Sequence, residues 1–154
     1  IIGSNVTSCS AGSYGGVVYA WDKQHKEKRV AVSITGSNVS GCYSAYGGVV
    51  RASESESVSI AGVAFINNRA DFSDSVLSLN TIEQTSISNA SFTGSGGVTI
   101  QTFNSPINWD CRLGSWMPTE GSFEGNFSAP ECNLCSAGYY GNASGLTEAS
   151  CDGP

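Results

Sequence analysis

The segment Val30-Ala-Val-Ser-Ile34-Thr-Gly-Ser-Asn-Val39 decides the fold, because its pattern recurs along the chain. An isoleucine is followed five positions later by a second apolar residue. The four such pairs are Ile1/Val6, Ile34/Val39, Ile60/Phe65 and Ile87/Phe92, whose first members lie 33, 26 and 27 residues apart. A repeat of this length predicts a stacked architecture in which no single unit can bury its own apolar face.

The repeat units have the pattern of short strands. Apolar and polar residues alternate with period two in Val30–Ile34 and Val58–Ile60, and Gly, Ser and Asn turns follow them. We therefore predict an all-β fold in which residues 1–105 form a parallel β-helix of about four coils of 26–33 residues each. Residues 106–154 are predicted to form a small disulfide-rich module. An antiparallel β-sandwich is the alternative, which the repeated register disfavours.

The repeat register also predicts which side chains lie above one another. Ile34, Ile60 and Ile87 should form one inward column, and Val39, Phe65 and Phe92 should form a second.

The first two units are the most alike, since Cys9 matches Cys42 and Tyr14-Gly-Gly-Val-Val matches Tyr46-Gly-Gly-Val-Val. Neighbouring coils would place Cys9 and Cys42 one strand spacing apart, about 5 Å. A disulfide tolerates that Cα separation, so we predict a Cys9–Cys42 bond. Two buried free thiols are the alternative.

Composition indicates an oxidising compartment. Charged residues make up only 13% of the chain, and the number of cysteines is six, which is even. Five N-glycosylation sequons begin at Asn5, Asn38, Asn89, Asn126 and Asn142. Because these sequons are spread along the chain and two occupy matching repeat positions, we expect N-linked glycans on an outward face and no other cofactor. The sequence thus predicts a secreted or cell-surface glycoprotein of a eukaryote.

Charge and hydropathy exclude two classes of partner. The net charge of −6 argues against nucleic acid, which needs a basic surface. No apolar stretch is long enough to span a bilayer as a helix, so no membrane insertion is expected in this segment. The chain starts at Ile1 without a methionine, and we interpret it as a fragment of a longer protein.

The segment Trp21–Arg29 interrupts the repeat, lengthening the first coil by about six residues. It holds four of the seven basic residues and the single histidine, His25. We interpret it as a solvated loop, as insertions in solenoids usually are. Two functional alternatives stay open: a grip on an acidic partner or sugar, with Trp21 as a stacking platform, or a contact between subunits.

Catalytic readings find little support in the residues. Carbohydrate-cleaving enzymes need clustered carboxylates, often with a basic residue or calcium. The repeat region offers the carboxylates Glu54, Glu56, Asp71, Asp74 and Glu83, and no motif joins them to a base or an oxyanion donor. We therefore predict a protein that is not an enzyme and that has no metal site.

From about Pro106 the repeats stop, and four of the six cysteines lie between Cys111 and Cys151. The pair Cys132-x-x-Cys135 could indicate zinc or a redox site, but no second ligand pair and no βαβ context accompany it. A disulfide module is the better interpretation, since so small an apolar core needs crosslinks. Pairing Cys111 with Cys132 and Cys135 with Cys151 avoids strain in the short loop, although other pairings stay open.

This run carries a family resemblance. Cys132-Asn-Leu-Cys135-Ser-Ala-Gly-Tyr-Tyr-Gly141, with Gly145-Leu-Thr147 before Cys151-Asp-Gly-Pro154, resembles cysteine-rich modules of the ephrin-receptor and EGF-like type. The repeats are similar to those of polymorphic outer-membrane-protein-like β-helices, with Phe65-Ile-Asn-Asn68 and Gly47-Gly-Val-Val50 matching. Phe92-Thr-Gly-Ser95 lacks the asparagine of that pattern.

The combination resembles large surface glycoproteins of algae and other protists, including components of flagellar hairs (mastigonemes). The resemblance implies a structural or adhesive role and no catalytic residues. We expect a self-associating subunit of an extracellular glycosylated filament or surface assembly, extended by strand addition at solenoid ends.

Two other functions are weighed against it. The first alternative is a carbohydrate-binding or adhesive ectodomain that uses aromatic residues such as Trp21, Tyr43 or Trp116. Aromatic side chains aligned on one outward face would favour it, whereas glycans covering that face would favour the scaffold. A polysaccharide lyase or hydrolase comes third.

Overall fold

The computed structural model describes residues 1–22, 30–72, 75–94, 99–111, 115–116, 122–123, 125–130, 132–137 and 151. Every regular element in these ranges is a β-strand, so the prediction of an all-β chain is confirmed. No helix in these ranges is long and apolar enough to cross a membrane. The strands belong to three larger sheets and two small pairs.

The three larger sheets consist mainly of parallel strands, as the repeat predicts. The first sheet contains β1 (Asn5–Thr7), β4 (Asn38–Ser40), β8 (Ala64–Ile66) and β12 (Ser91–Thr93). The second contains β2 (Val18–Trp21), β6 (Val50–Ser53), β10 (Leu77–Asn80), β13 (Ile100–Phe103) and β17 (Asn126–Phe127). The third contains β3 (Ala31–Thr35), β7 (Ser57–Ala61), β11 (Gln84–Ser88), β14 (Ile107–Asp110) and β16 (Ser122–Phe123).

Two strand pairs complete the inventory. A parallel pair joins β5 (Tyr43–Ser44) to β9 (Arg69–Ala70), and an antiparallel pair joins β15 (Ser115–Trp116) to β18 (Asn133–Leu134). From β1 to β14 the chain visits the first, second and third sheets in the same order four times. We call each round a layer. Each layer adds one strand to each sheet, so the strands of the two middle layers pair with the layers before and after them.

The core consists of the apolar columns that the repeat predicts. Ile34, Ile60 and Ile87 are register partners in the third sheet and are fully buried, so this column is confirmed. Alternate side chains of a strand point to opposite faces, which leaves their polar neighbours outside.

The second predicted column is confirmed in the first sheet, where Val39, Phe65 and Phe92 are register partners. The rings of Phe65 and Phe92 stack with centroids 4.7 Å apart. Aromatic stacking of this kind adds to the stabilisation from burial alone.

The Gly-Gly pairs of the repeat lie where the chain packs on its own backbone. Gly47 has a φ of +63°, which favours glycine. A Cβ on Gly48 would lie 2.3 Å from the carbonyl oxygen of Arg69 in the next layer. The second glycine is therefore required by close approach, and the first by backbone conformation.

The fourth layer is covered by strands that run the other way. β16 pairs antiparallel with β14, and β17 pairs antiparallel with β13. β14 lies beyond residue 105 and continues the register of β11. The boundary between residues 105 and 106 stays a prediction.

Two disulfides lie next to this covered end. The structure joins Cys111 to Cys132 and Cys135 to Cys151, which is the pairing that the sequence favours. Cys111 is buried at the end of β14. The first disulfide therefore ties the last parallel strand to the chain segment that follows the covering strands.

The predicted Cys9–Cys42 disulfide is not formed, and that prediction is corrected. Both residues are free thiols. They lie in neighbouring layers, which are joined here by the hydrogen bond from the Tyr43 amide to the Cys9 carbonyl at 2.8 Å. Directly stacked side chains lie about 4.7–4.9 Å apart, one strand spacing. That exceeds the Cβ separation of about 3.5–4.5 Å in a disulfide. Each sulfur instead approaches a carbonyl two residues earlier, Thr7 for Cys9 and Ser40 for Cys42.

Candidate functional site

The outward face of the second sheet carries aligned polar and aromatic side chains. Strand residues alternate there, with Val50, Leu77 and Ile100 buried inside. The register aligns two outward rows. The inner row is Tyr19, Arg51, Ser78 and Gln101, and the outer row is Trp21, Ser53, Asn80 and Phe103.

A cavity of about 440 Å³ opens on this face. Its walls include Arg51, Asn80, Gln101 and Phe103, the last of which is 65% exposed. We call this cavity the sheet-two groove. It presents a guanidinium group, two amides and an aromatic ring to solvent within one concavity.

The hydrogen bonds of the groove run in one direction. The Arg51 guanidinium donates to the Ser78 hydroxyl, and that hydroxyl donates to Gln101 Oε1 at 3.4 Å. The Thr81 hydroxyl donates to Asn80 Oδ1 at 3.0 Å. Both amide oxygens therefore accept bonds from the chain itself, whereas the amide N–H groups are the donors that these side chains can offer to a ligand.

A line of aromatic rings adjoins this face, formed by Tyr14, Tyr19, Tyr46 and Phe72, and we call it the ring line. Tyr14 stacks on Tyr46 with centroids 5.6 Å apart, and Tyr46 stacks on Phe72 at 5.4 Å. Tyr19 stacks on Tyr14 at 5.1 Å, and the Arg51 guanidinium carbon lies 6.0 Å from the Tyr14 centroid. All four rings are more than a third exposed. Their interplanar angles of 19–30° turn the ring faces toward one another and the edges toward solvent.

Tyr43, a predicted sugar contact, belongs to a separate polar cluster. Its hydroxyl donates to Asp71, and the Arg69 guanidinium carbon lies 5.0 Å from its ring centroid. The hydrogen bond to Asp71 raises the pKa of Tyr43 above its ordinary value of 10.0. Ring and hydroxyl are thus engaged within the chain.

Three of the five sequon asparagines lie on or beside the first sheet. Asn5 and Asn38 are register partners on β1 and β4, and both are exposed. Asn89 is exposed in the turn before β12, and with Asn38 it lines a cavity of about 630 Å³. Asn126 lies in β17 as the register partner of Gln101, and Asn142 lies outside the described residues.

The remaining sequence candidates do not form one site in the described chain. Glu54, Glu56, Asp71 and Glu83 are exposed, and Asp74 lies outside the described residues, as do 23–29 of the Trp21–Arg29 loop. The backbone of Trp116 lies in β15. In the part of the chain that the structure describes, no group of three or more His, Cys, Asp or Glu side chains is placed to hold a metal ion.

Comparisons with protein-family models, curated proteins and solved structures found no significant match. The chemistry of the site therefore rests on its own residues.

The sequence predicted Trp21 to lie in an inserted loop, whereas the structure places it at the end of β2; Arg51, Asn80 and Gln101 were not predicted as site residues. The repeat of Tyr14 and Tyr46 ahead of the two Gly-Gly pairs is the signal that points to the ring line. No comparable repeat marks the polar residues of the groove, because their types differ from layer to layer.

Proposed function

We propose that the chain is a non-catalytic structural subunit of an extracellular, glycosylated surface assembly or filament. In this proposal the three sheets are the walls of a parallel β-helix, and the residues after them are a cysteine-rich module of the EGF-like or ephrin-receptor type. The supporting observation is the in-register stacking of four layers around continuous columns such as Ile34, Ile60 and Ile87. Stacked layers of this kind give an elongated scaffold whose stability is shared between neighbours.

The sequon positions support an outward glycan coat. Exposed Asn5, Asn38 and Asn89 lie on or beside the first sheet, where bulky N-glycans would hinder lateral aggregation. A fourth sequon, that of Asn126, lies in β17 of the second sheet. We propose that the coat is densest on the first sheet and leaves more of the second sheet available for contacts.

The covering strands limit how subunits could add to one another. β16 and β17 occupy the edge of the third and second sheets at the fourth layer. Within the described ranges, β1, β12, β2 and β3 are the other terminal strands of the three sheets, and strand addition by a second copy is proposed at such edges. Two copies that pair through the same edge form a closed two-fold dimer, so filament growth requires an additional lateral contact.

Electron microscopy of the protein isolated from its natural source tests this proposal, with glycopeptide mass spectrometry on the same sample. We expect an ordered array or filament, with glycans on the peptides that contain Asn5, Asn38 and Asn89. Dispersed monomers with unmodified sequons would contradict both the assembly and the glycan coat.

A further inference from the structure

The wall of the sheet-two groove is rich in hydrogen-bond donors, which a purely structural surface does not need. The Arg51 guanidinium has five N–H donors, and its hydrogen bond in the described chain goes to one hydroxyl, that of Ser78. Among the residues that the structure describes, the hydrogen-bond partner of this guanidinium is therefore a neutral group. Arg51 brings a positive charge to the wall of the groove, in a chain whose net charge is −6.

The two amides extend this donor character along the groove. Gln101 Oε1 accepts from Ser78, and Asn80 Oδ1 accepts from Thr81. Because each oxygen is already engaged, the N–H donors are the groups through which these amides can bind an acceptor on a ligand. A molecule that fits this wall must offer acceptors, and at Arg51 it should offer an anionic one, because charge-assisted hydrogen bonds to guanidinium are the strongest available there.

The flanking aromatic residues narrow the ligand class further. Phe103 and Trp21 end the outer row and are 65% and 45% exposed. The small side chains of Ser53 and Asn80 lie between them in the register. The carboxylates of a flexible acidic peptide could pair with Arg51, but such a peptide has no apolar ring faces to place on the exposed aromatic side chains. A sugar chain offers apolar C–H faces and oxygen acceptors in alternation.

The stacked ring line is not this binding surface. The faces of Tyr46 are turned to Tyr14 on one side and to Phe72 on the other, so no sugar can lie flat on Tyr46. Those rings support the neighbouring layer, with Tyr14 near the Arg51 guanidinium.

We propose that the sheet-two groove binds an acidic oligosaccharide, with the carboxylate or sulfate of one unit at Arg51 and sugar oxygens on the amides of Asn80 and Gln101. Phe103 contacts the apolar face of a sugar ring. The inference goes beyond the scaffold role and holds whether or not the chain assembles. It would give a surface protein an attachment to an anionic polysaccharide matrix.

Calorimetric titration of the glycosylated chain tests the proposal. The probes are oligogalacturonate, a sulfated galactan oligosaccharide, a neutral galactan oligosaccharide of equal length and a poly-glutamate peptide. Each is measured with the natural chain and with Asn126→Gln, because that sequon pairs with Gln101 beside the groove. We expect at least one acidic oligosaccharide to bind ten times or more tightly than the neutral one.

Three variants locate the site. Arg51→Gln removes the cation, whereas Gln101→Glu and Asn80→Asp keep the acceptor oxygens that Ser78 and Thr81 use and replace the donors. Each should weaken binding of the acidic oligosaccharide by about tenfold or more, which corresponds to about 1.4 kcal/mol. Arg69→Gln is the matched control, because Arg69 lies against Tyr43 outside the groove; it should leave affinity unchanged. Thermal unfolding of each variant shows that the fold is retained.

Four results would overturn the proposal. They are no acidic-sugar binding to either form of the chain, equal affinity for the neutral oligosaccharide, an equal loss in Arg69→Gln, and equally tight binding of poly-glutamate. The last would identify the groove as a site for an acidic protein segment. The scaffold proposal would survive all four, since electron microscopy tests it separately.

Discussion

Asn68 and Cys42 connect two neighbouring layers through a side chain. The Cys42 amide donates to Asn68 Oδ1 at 2.9 Å, although 26 residues separate them. Asn68 Nδ2 in turn donates to the Val39 carbonyl at 2.8 Å, and the Asn68 side chain is fully buried. One amide therefore satisfies a backbone donor and a backbone acceptor at the same buried corner.

Replacing Asn68 should destabilise the protein strongly. Asn68→Leu leaves both backbone groups without this partner in the core, and we expect the free energy of unfolding to fall by about 3 kcal/mol. Urea denaturation followed by circular dichroism measures the change. Asn108→Leu, at an exposed position of β14, is the control and should change stability by less than about 0.5 kcal/mol. Equal stabilities of the two variants would contradict this role of Asn68.

Two buried threonines predict opposite effects of the same substitution. Thr85 lies between Val58 and Ile107 in the register, and its hydroxyl has no hydrogen-bond partner in the described chain. Thr102 is also buried, but its hydroxyl accepts from the Gly125 amide at 2.8 Å. We expect Thr85→Val to stabilise the protein by about 1 kcal/mol and Thr102→Val to destabilise it by about as much. Chemical denaturation of both variants checks this, and shifts of the same sign would refute it.

The Gly-Gly pairs can be tested without the complication of a positive φ. Gly48→Ala places a methyl group against the Arg69 carbonyl, whereas Gly12→Ala places one where no atom lies within 4 Å. Neither position has a positive φ. We expect Gly48→Ala to cost about 3 kcal/mol, as overpacking does, and Gly12→Ala to be neutral within about 0.5 kcal/mol. Thermal melts of the pair decide the matter; an unchanged melting temperature for Gly48→Ala would show that the layers can separate there.

The thiol of Cys42 should be unreactive in the folded protein. Burial, with a smaller contribution from a hydrogen bond with Cys9, raises the pKa of Cys42 from 9.0 to about 11. At pH 8 its thiolate population is therefore about a hundredfold lower than in the unfolded chain. Alkylation with iodoacetamide and peptide mass spectrometry should find Cys42 modified only after denaturation.

The same rise in the pKa of Cys42 makes the stability of the fold depend on pH in the alkaline range. The unfolded thiol deprotonates near pH 9 and the folded one near pH 11, so the stability contributed by Cys42 is complete below pH 9 and is lost as the pH rises through 11. A Cys42→Ala variant should lack this part of the alkaline decline. If the denatured, unreduced protein yields neither Cys9 nor Cys42 as an alkylated peptide, the two are joined and the free-thiol description is wrong.

The core could be predicted from sequence because it depends on one repeated distance. Ile34, Ile60 and Ile87 recur at nearly equal intervals, and parallel pairing converts equal intervals into one buried column. The groove could not be predicted in this way. Arg51, Asn80 and Gln101 share no residue type, and they meet only because the turns bring different positions of three layers onto one face.

The ends of the stack were beyond sequence reasoning for a related reason. β16 and β17 contain two residues each, too few to show a periodicity. Their antiparallel pairing joins residues that lie far apart in the chain, such as Asn108 and Ser122, which no local pattern encodes. The cysteine pair of the first two layers shows the opposite error, because Cys9 and Cys42 match in the sequence repeat and yet both are free thiols.

The pairing of each layer with its immediate neighbours has a consequence for how the molecule comes apart. Contacts in such a stack couple only adjacent layers. The stack should therefore unfold layer by layer and not in one cooperative transition of the whole molecule. The fourth layer is clasped by two antiparallel strands and a disulfide, whereas in this chain the first layer pairs on one side. Hydrogen exchange should therefore be graded along the axis, fastest at β1 and slowest near β10 and β11. A destabilising substitution in one layer would therefore promote local unfolding at that layer and leave the other layers folded.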